Sequence, residues 1–208
     1  MSPPSHDVIG FIIAGGQSTR YGSPKALADV AGERVVDRVE RALRAVTSEV
    51  LLIANDAALA EAIGIEARRD RVPGLGPIGG LDAALAWAAE LGAQGIVVAG
   101  CDMPFLPPSL FASILDVARA TDADAVLPES DGPRGVEPLA AYYSVSCVPA
   151  IEAAISREDQ RLIAFHRDVR VERLPLEDVR RHGDPAHIFM NLNTTSDRER
   201  ADAIARNS

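Results

Sequence analysis

Residues 8–14 (VIGFIIA) are apolar at every position and rich in β-branched side chains. A run this short with no polar face reads as a central strand buried on both sides. The same signature returns at residues 50–54 (VLLIA) and at residues 95–99 (GIVVA). Between them the period changes. Val35, Val36, Val39, Leu43 and Val46 recur at helical spacing, which predicts a helix over residues 33–46, and a short helix follows over 57–63. Residues 65–68 predict a third strand. Residues 78–91 are Ala-rich and predict a long helix after the Gly/Pro-rich loop 74–80. Leu110, Phe111, Ile114, Leu115 and Ala118 mark the next helix, with Pro107, Pro108 and Ser109 as its start signal. Residues 125–128, 138–143 and 170–174 predict further strands. Ser146 is expected to cap a helix running to Ile155, and a terminal helix is expected from Thr195.

Strands and helices thus alternate through the first two-thirds of the chain. That order predicts a Rossmann-like α/β fold, a mostly parallel sheet with right-handed crossovers and helices on both faces. The 208 residues contain no repeat and no stretch that reads as a linker, so one domain over 1–208 is expected, with residues 1–7 as a loose tail. No run of apolar residues is long enough for a membrane span or a convincing signal segment, which predicts a cytoplasmic protein without membrane partners.

Charge narrows the partners. A formal net charge of −9 repels phosphate at long range, so nucleic acid is not an expected ligand. An anionic small molecule would need a local pocket of positive potential. Of 21 basic side chains only Lys25 is lysine. Two cysteines, Cys101 and Cys147, are too few for a disulfide framework and are expected to be small buried apolar residues. His6, His166, His182 and His187 lack zinc-like spacing and are expected at the surface. Arg68-Arg69 and Arg180-Arg181 read as solvated faces, and no Gly-x-Ser-x-Gly elbow offers a serine nucleophile.

In open α/β sheets ligands bind beyond the carboxyl ends of the strands. Gly15-Gly16, Arg20 and Lys25 follow the first strand, and Asn55 follows the second. Asp70 and the glycine-rich stretch containing Gly79 follow the third, and Asp102 follows the fourth. The first loop is neither a P-loop nor a dinucleotide fingerprint, since no Gly-Lys-Ser/Thr triplet ends it and its glycine spacing is wrong. Its glycines nonetheless let backbone N–H groups approach an anion. Arg20 supplies a planar fork for phosphate oxygens and Lys25 a compact point charge that arginine does not reproduce. Asp102 is placed for Mg²⁺, which is typically held by one or two carboxylates together with substrate phosphates and water; a turn-capping role is its alternative. Together these features point to binding of a nucleoside triphosphate with Mg²⁺ and transfer of its nucleotidyl group.

In order and spacing, these loops resemble the molybdenum cofactor guanylyltransferase family of nucleotidyltransferases. The stretches that carry the resemblance are Ile13-Ala14-Gly15-Gly16, Arg20-Tyr21-Gly22-Ser23-Pro24-Lys25, Gly76-Pro77-Ile78-Gly79-Gly80-Leu81, Cys101-Asp102-Met103-Pro104-Phe105-Leu106-Pro107, Glu137-Pro138-Leu139-Ala140-Ala141-Tyr142 and Phe189-Met190-Asn191-Leu192-Asn193-Thr194-Thr195-Ser196-Asp197. They span nearly the whole chain. The chain departs from the family pattern at Tyr21, usually Met, and at Pro24, usually Asp. The resemblance implies transfer of GMP from GTP to the terminal phosphate of Mo-molybdopterin, with pyrophosphate leaving. It implies that Ile13, Ala14 and Gly15 contact the guanine nucleotide, with Gly16 and Gly79 beside them, and that Lys25 meets its phosphates. Asn55 and Asp70 would also contact nucleotide, Asp102 would hold Mg²⁺, and Asn191 and Asn193 would lie near the acceptor. A molybdoenzyme or a cofactor-delivery protein is the partner so implied. A molybdopterin cytidylyltransferase, a sugar-phosphate nucleotidyltransferase and a non-catalytic nucleotide-binding partner of a molybdoenzyme are the alternatives.

Overall fold

The computed structural model describes residues 7–14 and 25–206, with Lys25 described by its backbone. Seven strands form one sheet: β1 (Val8–Ala14), β4 (Val50–Ala54), β5 (Ala67–Arg68), β6 (Gly95–Gly100), β7 (Ala125–Pro128), β8 (Ala140–Ser144) and β9 (Val171–Leu174). Their order is β5-β4-β1-β6-β8-β7-β9. Strands β5, β4, β1 and β6 pair in parallel, as do β7 and β9, whereas β8 runs antiparallel to both of its neighbours. A two-stranded ribbon, β2 (Asp29–Val30) with β3 (Glu33–Arg34), stands apart from the sheet.

Alternate residues of β1 enter two different cores. Val8 and Ile12 face a cluster with α1 (Val35–Arg44), α2 (Ala57–Ile63) and α4 (Pro108–Thr121). Ile9, Phe11 and Ile13 face a second cluster, built on α3 (Pro77–Glu90) and α5 (Val148–Ser156). Helices α6 (Leu176–Val179), α7 (Pro185–Ile188) and α8 (Thr195–Arg206) join the first cluster through Val179, Ile188 and Ala201. Burial on both faces explains why β1, β4 and β6 carry almost no polar residue. It also explains why α3, which presses Trp87 edge-on against Phe11 at 5.7 Å between ring centroids, is apolar around most of its circumference.

Several boundaries differ from the sequence expectation for local reasons. The helix expected over 33–46 begins at Val35, because Glu33 and Arg34 pair with Val30 and Asp29 in the ribbon. It ends at Arg44, where the chain turns and Thr47 hydrogen-bonds back to Leu43. Of the strand expected over 65–68 only Ala67 and Arg68 form the ladder with β4. Ser144, not Ser146, does the capping before α5: its hydroxyl accepts from the Ser146 N–H, and a 3₁₀ turn at Val145–Cys147 precedes the helix. Cys147 is buried as expected, and burial pushes its thiol up to about 12. Cys101 is only partly buried, because it lies just past the end of β6. Arg68 is not a simply solvated cation. Its guanidinium lies 4.3 Å over the Trp87 ring and pairs with Glu90, so it roofs the otherwise buried indole.

His166 also departs from a surface role. It packs edge-on against Phe165 at 4.8 Å between ring centroids and beside Tyr143, with Nε2 buried and without a hydrogen bond. Burial, aided by the positive charge of Arg173, lowers its pKa to about 4. The folded protein therefore takes up this proton less readily than the unfolded chain, whose histidines titrate near ~6.5. His166 thus contributes stability that is full above that value and is lost as pH falls toward 4. Between pH 7 and pH 4.5, urea unfolding of the wild type should lose ~2 kcal/mol more than that of His166→Gln. Equal losses in the two proteins would exclude this role.

Candidate active site

The carboxyl ends of β5, β4, β1 and β6 line up along one edge of the sheet. Ile13 is the register partner of Ile53 on one side and of Gly100 on the other, and its carbonyl accepts from the Cys101 N–H at 3.3 Å. Ala14, at the last position of β1, is partly exposed at this edge. Gly15, Gly16 and Arg20 lie outside the described residues. Lys25 opens a 3₁₀ turn, Lys25–Leu27, that returns the chain to the core through the buried Ala26.

Beyond β4 and β5 two predicted residues meet. Asn55 donates from Nδ2 to Asp70 Oδ2 at 2.8 Å, and the Asp70 N–H donates to Asn55 Oδ1 at 2.9 Å. This two-way bond fixes the two loops to each other. Arg71 anchors the same segment, with Nη1 at 3.1 Å from both Asp82 and Glu152. Asp82 is 3% exposed, and burial raises its pKa against the lowering effect of Arg71. The Asp70 carboxylate reaches over the first turn of α3. A methyl group at Gly79 would stand 3.5 Å from one of its oxygens, and one at Gly80 would stand 3.8 Å from the other. Gly80 is closed in further by Ile13, whose Cγ2 would lie 2.8 Å from such a methyl. The preceding Gly76 has φ +66, a backbone state that a side chain would strain, and it caps α3 without a side-chain bond. Pro77 has no N–H, and the Gly79 and Gly80 N–H groups both donate to the Gly76 carbonyl, so the first turn of α3 offers close backbone approach beside Asn55, Asp70 and the end of β1 rather than a row of free donors.

Asp102 sits two strands away, ~10 Å by the usual strand spacing. Its carboxylate folds back over the end of β6: Oδ1 would be 3.1 Å from a methyl on Gly100, so glycine there leaves it room. Its carbonyl accepts from the Leu192 N–H at 3.0 Å. That bond brings the C-terminal segment to the metal candidate. Met190 and Leu192 are buried, and the residues between and after them, Asn191 and Asn193, are half-buried and exposed respectively. Asn191 donates to the Phe189 carbonyl at 3.1 Å. Asn193 leads directly into the start of α8, where Thr194 and Asp197 bond each other reciprocally and Asp197 also accepts the Asn193 N–H. Asn193 therefore serves the helix start through its backbone, while its side chain belongs to the exposed rim.

The sequence reading did not single out Glu137. It is 8% exposed, accepts the Leu139 N–H at Oε1 and lies 3.8 Å from Arg134. Burial raises its pKa, opposed by Leu139 and Arg134 and reinforced by the negative charge of Asp102. Glu137 precedes its strand rather than following it. Because β8 is antiparallel to β6, the start of β8 lies at the same edge as the end of β6, with Ala140 opposite Ala99. The hairpin over residues 129–137, closed by the Glu129–Val136 bridge, carries Glu137 and walls a cavity of about 320 Å³. Pro185, Phe189 and Asn191 complete that wall. Among the described residues no group of three or more His, Cys, Asp or Glu side chains converges as a protein-only metal cage. One half-buried carboxylate at a strand end instead fits Mg²⁺, which takes much of its coordination from substrate phosphate and water.

Residues 10–173 match the MobA-like NTP transferase domain. The chain belongs to that family. MobA-like NTP transferases are nucleotidyltransferases, and relatives align over nearly all of this chain. The probable molybdenum cofactor guanylyltransferase of Pelotomaculum thermopropionicum is 35% identical over 96% of this chain and 94% of its own length. The molybdenum cofactor guanylyltransferase of Rhodobacter capsulatus is 34% identical over 94% and 95%. The crystal structure of molybdopterin-guanine dinucleotide biosynthesis protein A from Archaeoglobus fulgidus superposes with a TM-score of 0.80 at 26% identity, covering 96% of this chain and all of that one. The MobA-like chain described here is thus a nucleotidyltransferase of the molybdenum cofactor guanylyltransferase family, with a mostly parallel seven-stranded sheet. None of its described helices is long and apolar enough to cross a membrane.

Proposed function

We propose that this enzyme transfers GMP from GTP to Mo-molybdopterin, forming the guanine dinucleotide cofactor and pyrophosphate. The observation that carries the reading is the place of Asp102 just past the end of β6, between the edge formed by β5, β4 and β1 and the start of β8, which follows Glu137. On one side stand the end of β1, the Asn55–Asp70 lock and the opening turn of α3. On the other stands the cavity walled by residues 130–137, Phe189 and Asn191. A transfer between two bound anions needs this division. GTP takes the first compartment, with Ile13, Ala14, Gly15, Gly16, Asn55, Asp70 and Gly79 around it and Lys25 and Arg20 on its phosphates. The acceptor takes the second, with Asn191 and Asn193 beside it and Arg134 at its mouth. The names of the relatives supply the guanylyl group and the molybdenum cofactor.

The acceptor's terminal phosphate oxygen attacks the α-phosphorus of GTP. One P–O bond forms, and the bond to the pyrophosphate oxygen breaks. The nucleophile is already an anion, so no strong general base is needed. The residues bring two like charges together in line and neutralise charge on the leaving pyrophosphate. Asp102 would hold Mg²⁺, which supplies Lewis-acid stabilisation of the phosphate oxygens. The product would pass to a molybdoenzyme or a cofactor-delivery protein in the cytoplasm.

The test is to incubate the enzyme with Mg²⁺, Mo-molybdopterin and each of the four nucleoside triphosphates, with product detection by mass spectrometry. GTP should give the pterin dinucleotide at least ~10-fold faster than CTP, on the scale of one or two discriminating hydrogen bonds. Asn193→Ala should raise the KM for the acceptor while GTP binding stays within about twofold, since the change removes one exposed amide and leaves its backbone bond in place. Nucleotide-sugar formation from hexose 1-phosphates without any pterin dinucleotide would overturn the reading.

A further inference from the structure

Four features of the cavity walled by Glu137, Phe189 and Asn191 define what it can recognise. Its walls include the apolar surfaces of Pro133, Pro185 and Phe189, which suit the faces of a flat ring better than a polyol. Its polar points include Ser130, Asp131, Arg134, Glu137 and Asn191, and Glu137 is the more buried of the two carboxylates. Asn191 offers an amide on the same lining, held by its bond to the Phe189 carbonyl. Glu137 is itself held at Oε1, by the Leu139 N–H at 3.3 Å and by Arg134 at 3.8 Å, so one end of its carboxylate is restrained before a ligand arrives.

We infer that the Glu137 carboxylate reads the pyrimidine edge of the acceptor's pterin ring, accepting hydrogen bonds from the 2-amino group and from N3–H. Those two donors lie side by side in the ring plane and match the two oxygens of one carboxylate. Burial of the Glu137 carboxylate carries a desolvation cost that the Leu139 N–H and Arg134 meet at Oε1, and a pair of ligand N–H groups would relieve it further. The negative charge of Asp102, felt at Glu137, fits the same picture: a bound metal or an N–H pair from the ligand offsets the repulsion between the two acids. Glu137 is thus a specificity-determining residue for the acceptor, distinct from the phosphate-handling machinery. This inference rests on the pterin-acceptor reading above.

The experiment uses 6-hydroxymethylpterin and 6-hydroxymethyllumazine, which differ in carrying an amino group or an oxygen at C2. Binding to the full chain is followed by ligand fluorescence in the presence of Mg²⁺ and GTP. Wild type should bind the pterin ~10–100-fold more tightly than the lumazine, because the oxygen would face the carboxylate and leave it unpaired. Glu137→Gln should shrink that preference to about threefold or less, with GTP affinity unchanged. Glu137→Asp, which keeps the charge but withdraws it, should lie between the two. Thermal melting and GTP binding of each variant report folding, and the wild-type comparison needs no variant at all. Equal binding of pterin and lumazine by wild type would overturn the inference. So would an undiminished preference in a folded Glu137→Gln. If wild type makes the pterin dinucleotide while either of these holds, only the role of Glu137 fails. If no dinucleotide forms and neither ring binds, the acceptor reading fails with it.

Discussion

Asp102→Asn is expected to cut nucleotidyl transfer by ~100-fold or more, the scale of losing one key electrostatic stabiliser at a reacting phosphate. The folded protein should survive the change. Asp102 is half-buried at the end of β6, and its tie to the C-terminal segment runs through its backbone carbonyl, which asparagine retains. The amide is nearly isosteric with the carboxylate, so it fits the space that Gly100 leaves open. What disappears is one negative charge, and with it the grip on a divalent cation. Steady-state kinetics over a Mg²⁺ titration measure both consequences: kcat should fall, and the Mg²⁺ needed for half-maximal rate should rise. Because the loss of charge also removes repulsion on Glu137, binding of the acceptor ring alone should not weaken. Wild-type turnover at every Mg²⁺ concentration would remove Asp102 from the metal site.

Gly80→Ala should damage the nucleotide side through packing instead of charge. The added methyl would lie 2.8 Å from Cγ2 of Ile13, a residue 3% exposed in the second core. Ile13 is β-branched and pinned on both flanks by the β4 and β6 ladders, so it has little freedom to rotate away. Helix α3 must then move off the end of β1. Overpacking of this kind costs ~1–3 kcal/mol, which for a protein of this size lowers Tm by ~2–10 °C. The displaced first turn of α3 also carries the position facing Asp70. GTP affinity should therefore fall by ~10-fold or more even well below the melting temperature. Calorimetry with GTP at 15 °C, together with a melting curve, checks both numbers. A variant as stable as wild type, with unchanged GTP affinity, would show that the contact between α3 and β1 tolerates a side chain.

The strands and the residues at their ends were legible in the chain for different reasons. β1, β4 and β7 have the bounds expected from their apolar runs, because a sheet covered on both faces admits no polar alternation to blur the ends. Asp102, Asn55 and Asp70 stand just past the carboxyl ends of parallel strands, where a ligand is expected, and the structure joins the last two directly. Glu137 escapes that rule, since a strand direction is a tertiary fact and the reversal of β8 leaves no local mark in its residues. The shift of the helix cap from Ser146 to Ser144 has a similar origin. Ser144 is fixed at the last position of β8, and Ser146 instead donates to Asp124 at 2.6 Å. The burial of His166 is tertiary as well, because Tyr143, which it packs beside, lies 23 positions earlier in the chain.

The bond from the Leu192 amide to the Asp102 carbonyl joins positions ninety residues apart. Such a contact exists only when a long chain segment is closed, so it reports the folded state of the C-terminal segment and the end of β6 together. Ile188, Met190 and Leu192 are buried in the first core, which holds the same segment down from within. The part of the cavity wall that Phe189 and Asn191 supply is therefore as firm as the core contacts of the residues beside them. Slow exchange of the buried Leu192 amide proton is the expected mark of that wall in place.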